Sequence, residues 1–293
     1  MPSWAGDAMA IGCALAWACA ILVFRRIKDV DAAALSLFKN FVATVLLLLT
    51  LALTGGSIEW SRAPRDWILL SASGVLGLAI ADTLFLAGLR RLDASVAAIT
   101  DCAYAPTVVL LSAVVLGEKL GPGIVLGAPL IVIGLFLVGW QRRAAVRPVA
   151  IDRKGVALAI GGVMTTALGV VVAKPALGRS SLIEATTIRL LAGTTVLFVF
   201  QLVTGRAKPA LSLFVPQKLW KLMIPATLLS TYIAMILWLG GMKYGTASRA
   251  ALLNQSGAVM LLVVSRFLGE TIPKQRWIGA AIAIGGVAAV VAL

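Results

Sequence analysis

The chain of 293 residues contains no histidine. That absence removes His-assisted serine or cysteine nucleophiles, His-x-x-x-His zinc sites and haem held by histidine. Acidic residues are scarce, with 12 Asp and Glu, and all charged residues together make up only 13% of the chain. Soluble domains run at roughly 25% charged and 45–50% apolar, whereas this chain is 60% hydrophobic, with a mean hydropathy of +1.00. An ordinary soluble enzyme is excluded, as are disorder, collagen-like sequence and a disulfide scaffold. The three cysteines, Cys13, Cys19 and Cys102, lie inside apolar stretches and read as small core residues rather than ligands or bridges. No Gly-Lys-Ser/Thr loop and no G-x-G-x-x-G occurs, so those nucleotide cradles are missing, and no cofactor is expected.

What is present is apolar sequence in lengths that match a bilayer. Stretches of about 17–25 residues fall at Gly6–Phe24, Ala33–Leu53, Asp66–Leu89, Ala94–Leu116 and Gly121–Trp140, then at Gly155–Leu177, Leu182–Val203, Leu219–Gly241, Thr246–Leu268 and Pro273–Leu293. The expected fold is an all-α membrane protein of ten transmembrane helices. The longest connections, Gln141–Lys154 and Thr204–Lys218, are too short to fold alone. The first stretch is a true span rather than a signal peptide, because Arg25, Arg26 and Lys28 follow its apolar run and no basic residue precedes it.

The formal net charge of +14 is spread over short loops, the pattern that meets anionic lipid head groups rather than nucleic acid. Loops after the odd-numbered segments carry seventeen Lys and Arg against six in the others. The positive-inside rule then places both termini outside the cytoplasm. Trp4, Trp60, Trp67, Trp140, Trp220 and Trp277 lie at segment ends and read as interfacial belt residues. Trp17 and Trp238 lie deeper.

The two halves resemble each other. Ala8-Met9-Ala10-Ile11-Gly12 matches Ala157-Leu158-Ala159-Ile160-Gly161 at a shift of 149 residues. Thr54-Gly55 matches Thr204-Gly205 at 150, a shift that also places Lys39 on Arg189. Leu116-Gly117-Glu118 matches Leu268-Gly269-Glu270 at 152, which puts Gly127 on Gly279 and Gly134 on Gly286. The order and the near-constant shift define a repeat over 1–140 and a second over 155–293, joined by a linker at 141–154. Five helices per copy is odd, so the second copy enters the membrane in the opposite sense. Inverted halves of this kind build alternating-access transporters.

The paired Leu-Gly-Glu ends, the Gly-rich helices that follow them and the two five-helix repeats together resemble the EamA-type branch of the drug/metabolite transporter superfamily, over essentially the whole chain. Among its members the chain is most similar to the amino-acid exporters of the YddG type. The resemblance implies ten helices around a central cavity lined by helices 1–4 and 6–9, with helices 5 and 10 outside it. It also implies a multi-pass protein of the inner (plasma) membrane.

Polar residues at membrane depth are costly and mark functional positions. Lys39, Asp82 and Asp101 each lie about two turns from one common membrane face, roughly 10 Å in at 1.5 Å per residue. They form a candidate cluster of one base and two acids. Its role is either a static ion pair that fixes helix packing or a site for substrate or proton. Arg189, Arg249, Asn254 and Gln255 form a counterpart near the opposite face, while Glu184 and Lys174 read as interfacial. Pro175 marks a helix end or kink. Ala105-Pro106 aligns at shift 152 with Gly257-Ala258; such matched interruptions are either a kink or a transporter's binding site. Tyr104, Tyr232, Trp17 and Trp238 supply rings with polar tips that suit an amphipathic organic molecule or, individually, core packing.

Three classes of function compete. A channel would want a ring of repeated carbonyls or like charges, and no such filter sequence is present. An intramembrane enzyme would need a nucleophile with a base, a metal cluster or an aspartyl dyad, and the last would leave the polar residues of the second half without a role. The reading that uses both halves is a transporter, with a small-molecule substrate and the lipid bilayer as partners. It exports small organic metabolites, amino acids first, aromatic ones among them; the alternative with the same fold is an exporter of drugs, sugars or other metabolites. A functional monomer is expected, since the chain contains its own pseudo-dimer.

Overall fold

The computed structural model describes residues 3–24, 26–27, 30–89, 91–92, 96, 100–139 and 152–293. The described residues are helical throughout, without a strand, as composition required. Ten membrane elements follow in order. They are α1 (Ser3–Phe24), α2 (Ala32–Leu53), α3 (Pro64–Gly74, then Val75–Ile80, then Ala81–Leu89), α4 (described from Tyr104–Leu116) and α5 (Pro122–Gly139). The second half continues with α6 (Arg153–Arg179), α7 (Leu182–Val203), α8 (Trp220–Thr227, Leu228–Ile233, Ala234–Tyr244), α9 (Ala247–Asn254, Gly257–Phe267) and α10 (Lys274–Ala292). Nine are long and apolar enough to span a bilayer, and Tyr104–Leu116 is a shorter apolar helix. The start of the fourth segment near Ala94, most of the Gln141–Lys154 linker, Trp140, and Arg25, Lys28, Arg90, Arg142, Arg143 and Arg147 of the charge count lie outside the described residues.

Local chemistry sets the helix ends. The Asp31 carboxylate accepts from the amides of Ala33 and Ala34 at 3.1 and 3.0 Å and starts α2. Ser181 Oγ accepts from the Glu184 amide at 3.3 Å and starts α7, as side-chain oxygens do at N-caps. Pro175 does not end its helix: α6 runs through it to Arg179. A membrane helix tolerates the missing amide where neighbouring groups re-satisfy the freed backbone. The Thr204–Lys218 connection is more than a loop. It carries a short helix, Ala207–Ser212, whose end packs Phe214 against Phe38 and Phe41, both with ring centroids 5.2 Å apart.

The duplication is visible in backbone geometry. Among described residues the positive-φ glycines fall into two repeat-related pairs, Gly55 and Gly205 at φ 68° and 70°, and Gly117 and Gly269 at 66° and 90°. Each ends a helix in the left-handed conformation, where a Cβ is costly. The wide π-helical stretches Val75–Ile80 in α3 and Leu228–Ile233 in α8 lie 153 residues apart. So do the non-helical turns at Cys102-Ala103 and Gln255-Ser256 that interrupt α4 and α9. The register at these breaks is therefore one residue longer than the 152 read from the Leu-Gly-Glu ends.

Inter-helix contacts obey the same inverted two-fold. In the α5–α10 pair, a Cβ on Gly127 would lie 2.6 Å from the Gly286 carbonyl, and one on Gly134 would lie 2.6 Å from that of Gly279. Exchanging the repeats turns one contact into the other. The α1–α8 pair is joined through Gly6 and Gly241, and its counterpart α3–α6 through Gly88 and Gly162. Small residues let helix backbones approach this closely where lipid supplies no hydrophobic drive.

Candidate transport site

A cavity of about 480 Å³ lies between the repeats. Its lining runs from Ile21 and Gly139, near the ends of α1 and α5, to Arg189 and Trp238. Those last two lie seven and six residues from the opposite helix ends, so the cavity crosses the middle of the bundle. Of the eleven deep residues singled out in sequence, Arg249 lies elsewhere, paired with Asp7, and nine line the cavity: Trp17, Lys39, Asp82, Asp101, Tyr104, Arg189, Trp238, Asn254 and Gln255. Tyr232 does not. Its hydroxyl meets Thr50 Oγ1 at 2.6 Å, because the π-helical stretch aims residue 232 at α2 while Ser230 and Thr231 face the cavity.

The clusters read at two levels meet in this cavity, except Arg249, which pairs with Asp7 instead. Lys39 and Arg189 each lie seven residues inside their helices, or about 10 Å from opposite faces at 1.5 Å per residue. A core about 30 Å thick leaves only some 10 Å between them, which one cavity bridges. Furthermore, α5 is not wholly peripheral, since Leu135, Val138 and Gly139 form one wall; α10 contributes no lining residue.

The repeats contribute matching positions. Lys39 pairs with Arg189 at a shift of 150, and Gly77, Leu78, Asp82 and Asp101 pair with Ser230, Thr231, Met235 and Asn254 at 153; all line the cavity. Trp17 pairs with Thr166 at 149, also in the lining. Shape is thus near-symmetric, but charge is not, because both acids come from the first half. Ser230, Thr231 and Thr166 escaped the sequence reading, although adjacent hydroxyls in the middle of the eighth segment were the available signal.

The ionic groups differ in how they are held. Asp82 accepts from Ser36 Oγ at 2.9 Å and faces Lys39 Nζ at 3.7 Å, with side chains 30% and 17% exposed. Arg189 is 1% exposed. Its Nη1 donates to Ser73 Oγ, which itself donates to the Gly169 carbonyl. The guanidinium lies 5.4 Å from the Trp238 ring centre, a cation–π arrangement. No carboxylate reaches it among the described residues, and its Nε has no hydrogen-bond partner. Tyr104, packed against Trp238, likewise keeps an unpartnered hydroxyl, as Asn254 keeps its Oδ1 and Gln255 its Nε2. Buried polar atoms without partners are expensive, and several gather at this end of the cavity.

The other charged residues at depth tie the helices together at the face bearing the chain termini. Arg249 forms a two-pronged pair with Asp7 at 2.7 Å on both oxygens and also reaches the Val291 carbonyl, joining α1, α9 and α10. Glu184, buried in the first turn of α7, meets Arg62 of the α2–α3 connection at 2.6 Å. Asp66 receives Arg179 Nε at 3.0 Å. Lys174 donates to the carbonyls of Met242 and Gly245 at the end of α8, and Lys243 donates to those of Leu177 and Ser180 at the end of α6. This reciprocal exchange places each cation on the negative end of the neighbouring helix dipole. Glu118, of the Leu-Gly-Glu motif, accepts from the amides of Ala247 and Ser248 at 2.7 and 3.1 Å, capping the start of α9. The motif's structural purpose is therefore a cross-helix cap, which no local pattern could reveal.

An internally duplicated, inverted ten-helix bundle around a central polar and aromatic cavity defines a membrane carrier. The family comparison agrees: the model of the EamA-like transporter family matches residues 4–140 and 153–292, and the chain belongs to that family of small-molecule transporters. A solved structure titled only "Crystal structure of protein" superposes with a TM-score of 0.82 over 99% of this chain and 96% of its own, at 18% identity. It shares the fold. No curated protein matches the sequence.

Proposed function

We propose that this multi-pass membrane protein exports amino acids, aromatic ones among them, across the inner (plasma) membrane by alternating access. One observation carries the substrate class. The cavity holds a guanidinium, Arg189, and a carboxylate, Asp101, neither with an ionic partner among the described residues, beside the rings of Trp238, Tyr104 and Trp17. A zwitterion supplies the anion for one and the ammonium for the other, and the rings take its side chain. The volume of about 480 Å³ lies within the roughly 300–1,000 Å³ of ligand pockets. The resemblance to YddG-type exporters points the same way.

The positive-inside rule supplies orientation. It assigns the basic-loop face, which the cavity approaches at Ile21 and Gly139, to the cytoplasm, and the clamped face to the outside. In this reading the structure is an inward-facing state. The wide turns in α3 and α8 and the breaks in α4 and α9 are where the helices bend, since such irregularities recur at functional sites and kinks. Both repeats lie in one chain, so a monomer suffices. The test is efflux of the pooled twenty amino acids from proteoliposomes, read by mass spectrometry. Selective, saturable loss of some of them is expected. Complete retention, with a control carrier working, would overturn the amino-acid reading and direct screening to sugars, nucleotide conjugates and drugs.

A further inference from the structure

Five carboxylates lie within the membrane spans at described positions: Asp7, Asp66, Asp82, Asp101 and Glu184. Four are held. Asp7 is paired with Arg249, Asp66 with Arg179, Glu184 with Arg62, and Asp82 with Lys39 and Ser36. Asp101 alone has no hydrogen bond or ion pair among the described residues. It lies on the turn of helix immediately before the break in α4, open to the cavity. Its repeat mate at the corresponding break of α9 is Asn254, which has nearly the same shape and cannot ionise.

We propose that Asp101 is the proton-coupling residue of this transporter, an assignment that rests on the transport reading above. When the cavity is empty, Asp101 takes a proton from the face to which the cavity is open. When substrate enters, its ammonium replaces that proton, which leaves to water. The carboxylate holds one cation or the other, so substrate and proton move in exchange. The titratable groups sharing the cavity are Cys13 of α1, Lys39 of α2, Asp82 of α3, Arg189 of α7, and Cys102 and Tyr104 of α4 itself. Protonating Asp82 instead would strand the Lys39 ammonium, whereas protonating Asp101 breaks no pair.

The experiment compares wild type, Asp101→Asn and Asp82→Asn in proteoliposomes supplied with the pooled amino acids under a one-unit pH difference. With the membrane potential held at zero by potassium and an ionophore, exchange of one proton per zwitterion sustains up to roughly a tenfold steady-state substrate gradient, since one pH unit is worth a factor of ten. Wild type should accumulate substrate toward that limit, Asp82→Asn should reach the same steady-state ratio more slowly because it lines the cavity, and Asp101→Asn should equilibrate at a ratio of one. Accumulation by Asp101→Asn, or equilibration by wild type, would overturn the assignment. If no amino acid moves, the infrared carbonyl band of a protonated carboxyl decides in the absence of substrate. A band that titrates in wild type and is missing in Asp101→Asn upholds the proposal while the amino-acid reading falls. An unchanged titration removes the proposal too.

Discussion

Two ion pairs, one at the bundle face and one at membrane depth, should respond differently to loss of their acid. Glu184 and Arg62 are 2.6 Å apart with side chains 5% and 3% exposed, and Glu184 also accepts from the Glu59 amide at 2.7 Å. Glu184→Gln leaves the buried guanidinium only the distant, exposed Glu59 at 3.9 Å as counter-charge, and losing the close partner of a buried charge costs about 3–5 kcal/mol. Lys39 and Asp82 are 3.7 Å apart in the open cavity, where such pairs contribute about 0.2–1 kcal/mol. Asp82→Asn also keeps an oxygen for Ser36 Oγ. The prediction is a large loss of stability for Glu184→Gln and almost none for Asp82→Asn, with transport reduced in the latter. Unfolding of the purified variants in graded denaturing detergent measures the first, and proteoliposome flux the second. The double variant Arg62→Met with Glu184→Leu should regain most of the loss, because well-packed apolar residues often replace a buried pair without cost. Equal destabilisation by the two single variants, or a double variant as poor as the sum of its parts, would refute the division into structural and functional pairs.

Other consequences follow from the packing and the site. At the α5–α10 seam, a Cβ on Gly127 would lie 2.5 Å from Val290 Cγ2, and one on Gly286 would lie 2.8 Å from the Gly127 carbonyl. Gly127→Ala and Gly286→Ala should each cost about 1–3 kcal/mol, while Gly285→Ala, with nothing within 4 Å, should cost nothing in the same unfolding assay. Arg189→Gln removes a charged donor worth about 1.5–3 kcal/mol to a bound anion, so the half-saturating substrate concentration should rise roughly ten- to a hundredfold in initial-rate measurements. In a variant lacking Cys13 and Cys19, a membrane-impermeant thiol reagent should label the cavity-lining Cys102 from the basic-loop face only, and substrate should slow it. Labelling from the clamped face would contradict the orientation of the cavity.

Period, length and composition determined much of this protein on their own. Apolar stretches fixed the number of helices, since a bilayer accepts little else. The shifts of 149, 150 and 152 exposed the duplication, and an odd number of helices per copy made it inverted. Depth alone picked Lys39, Asp82, Asp101 and Arg189, because charge in the membrane is too costly to be incidental. What sequence could not decide was partnership. Arg62 and Glu184 are 122 residues apart in number, and Glu118 caps a helix that begins at Ala247. Tyr232 looked as suitable as Tyr104, until a wider helical turn rotated it onto Thr50. A hydropathy pattern records how deep a side chain lies. Which neighbour it meets there depends on how the two repeats cross, and among the described residues that crossing leaves Arg189 and Asp101 unpaired while the other deep acids are held.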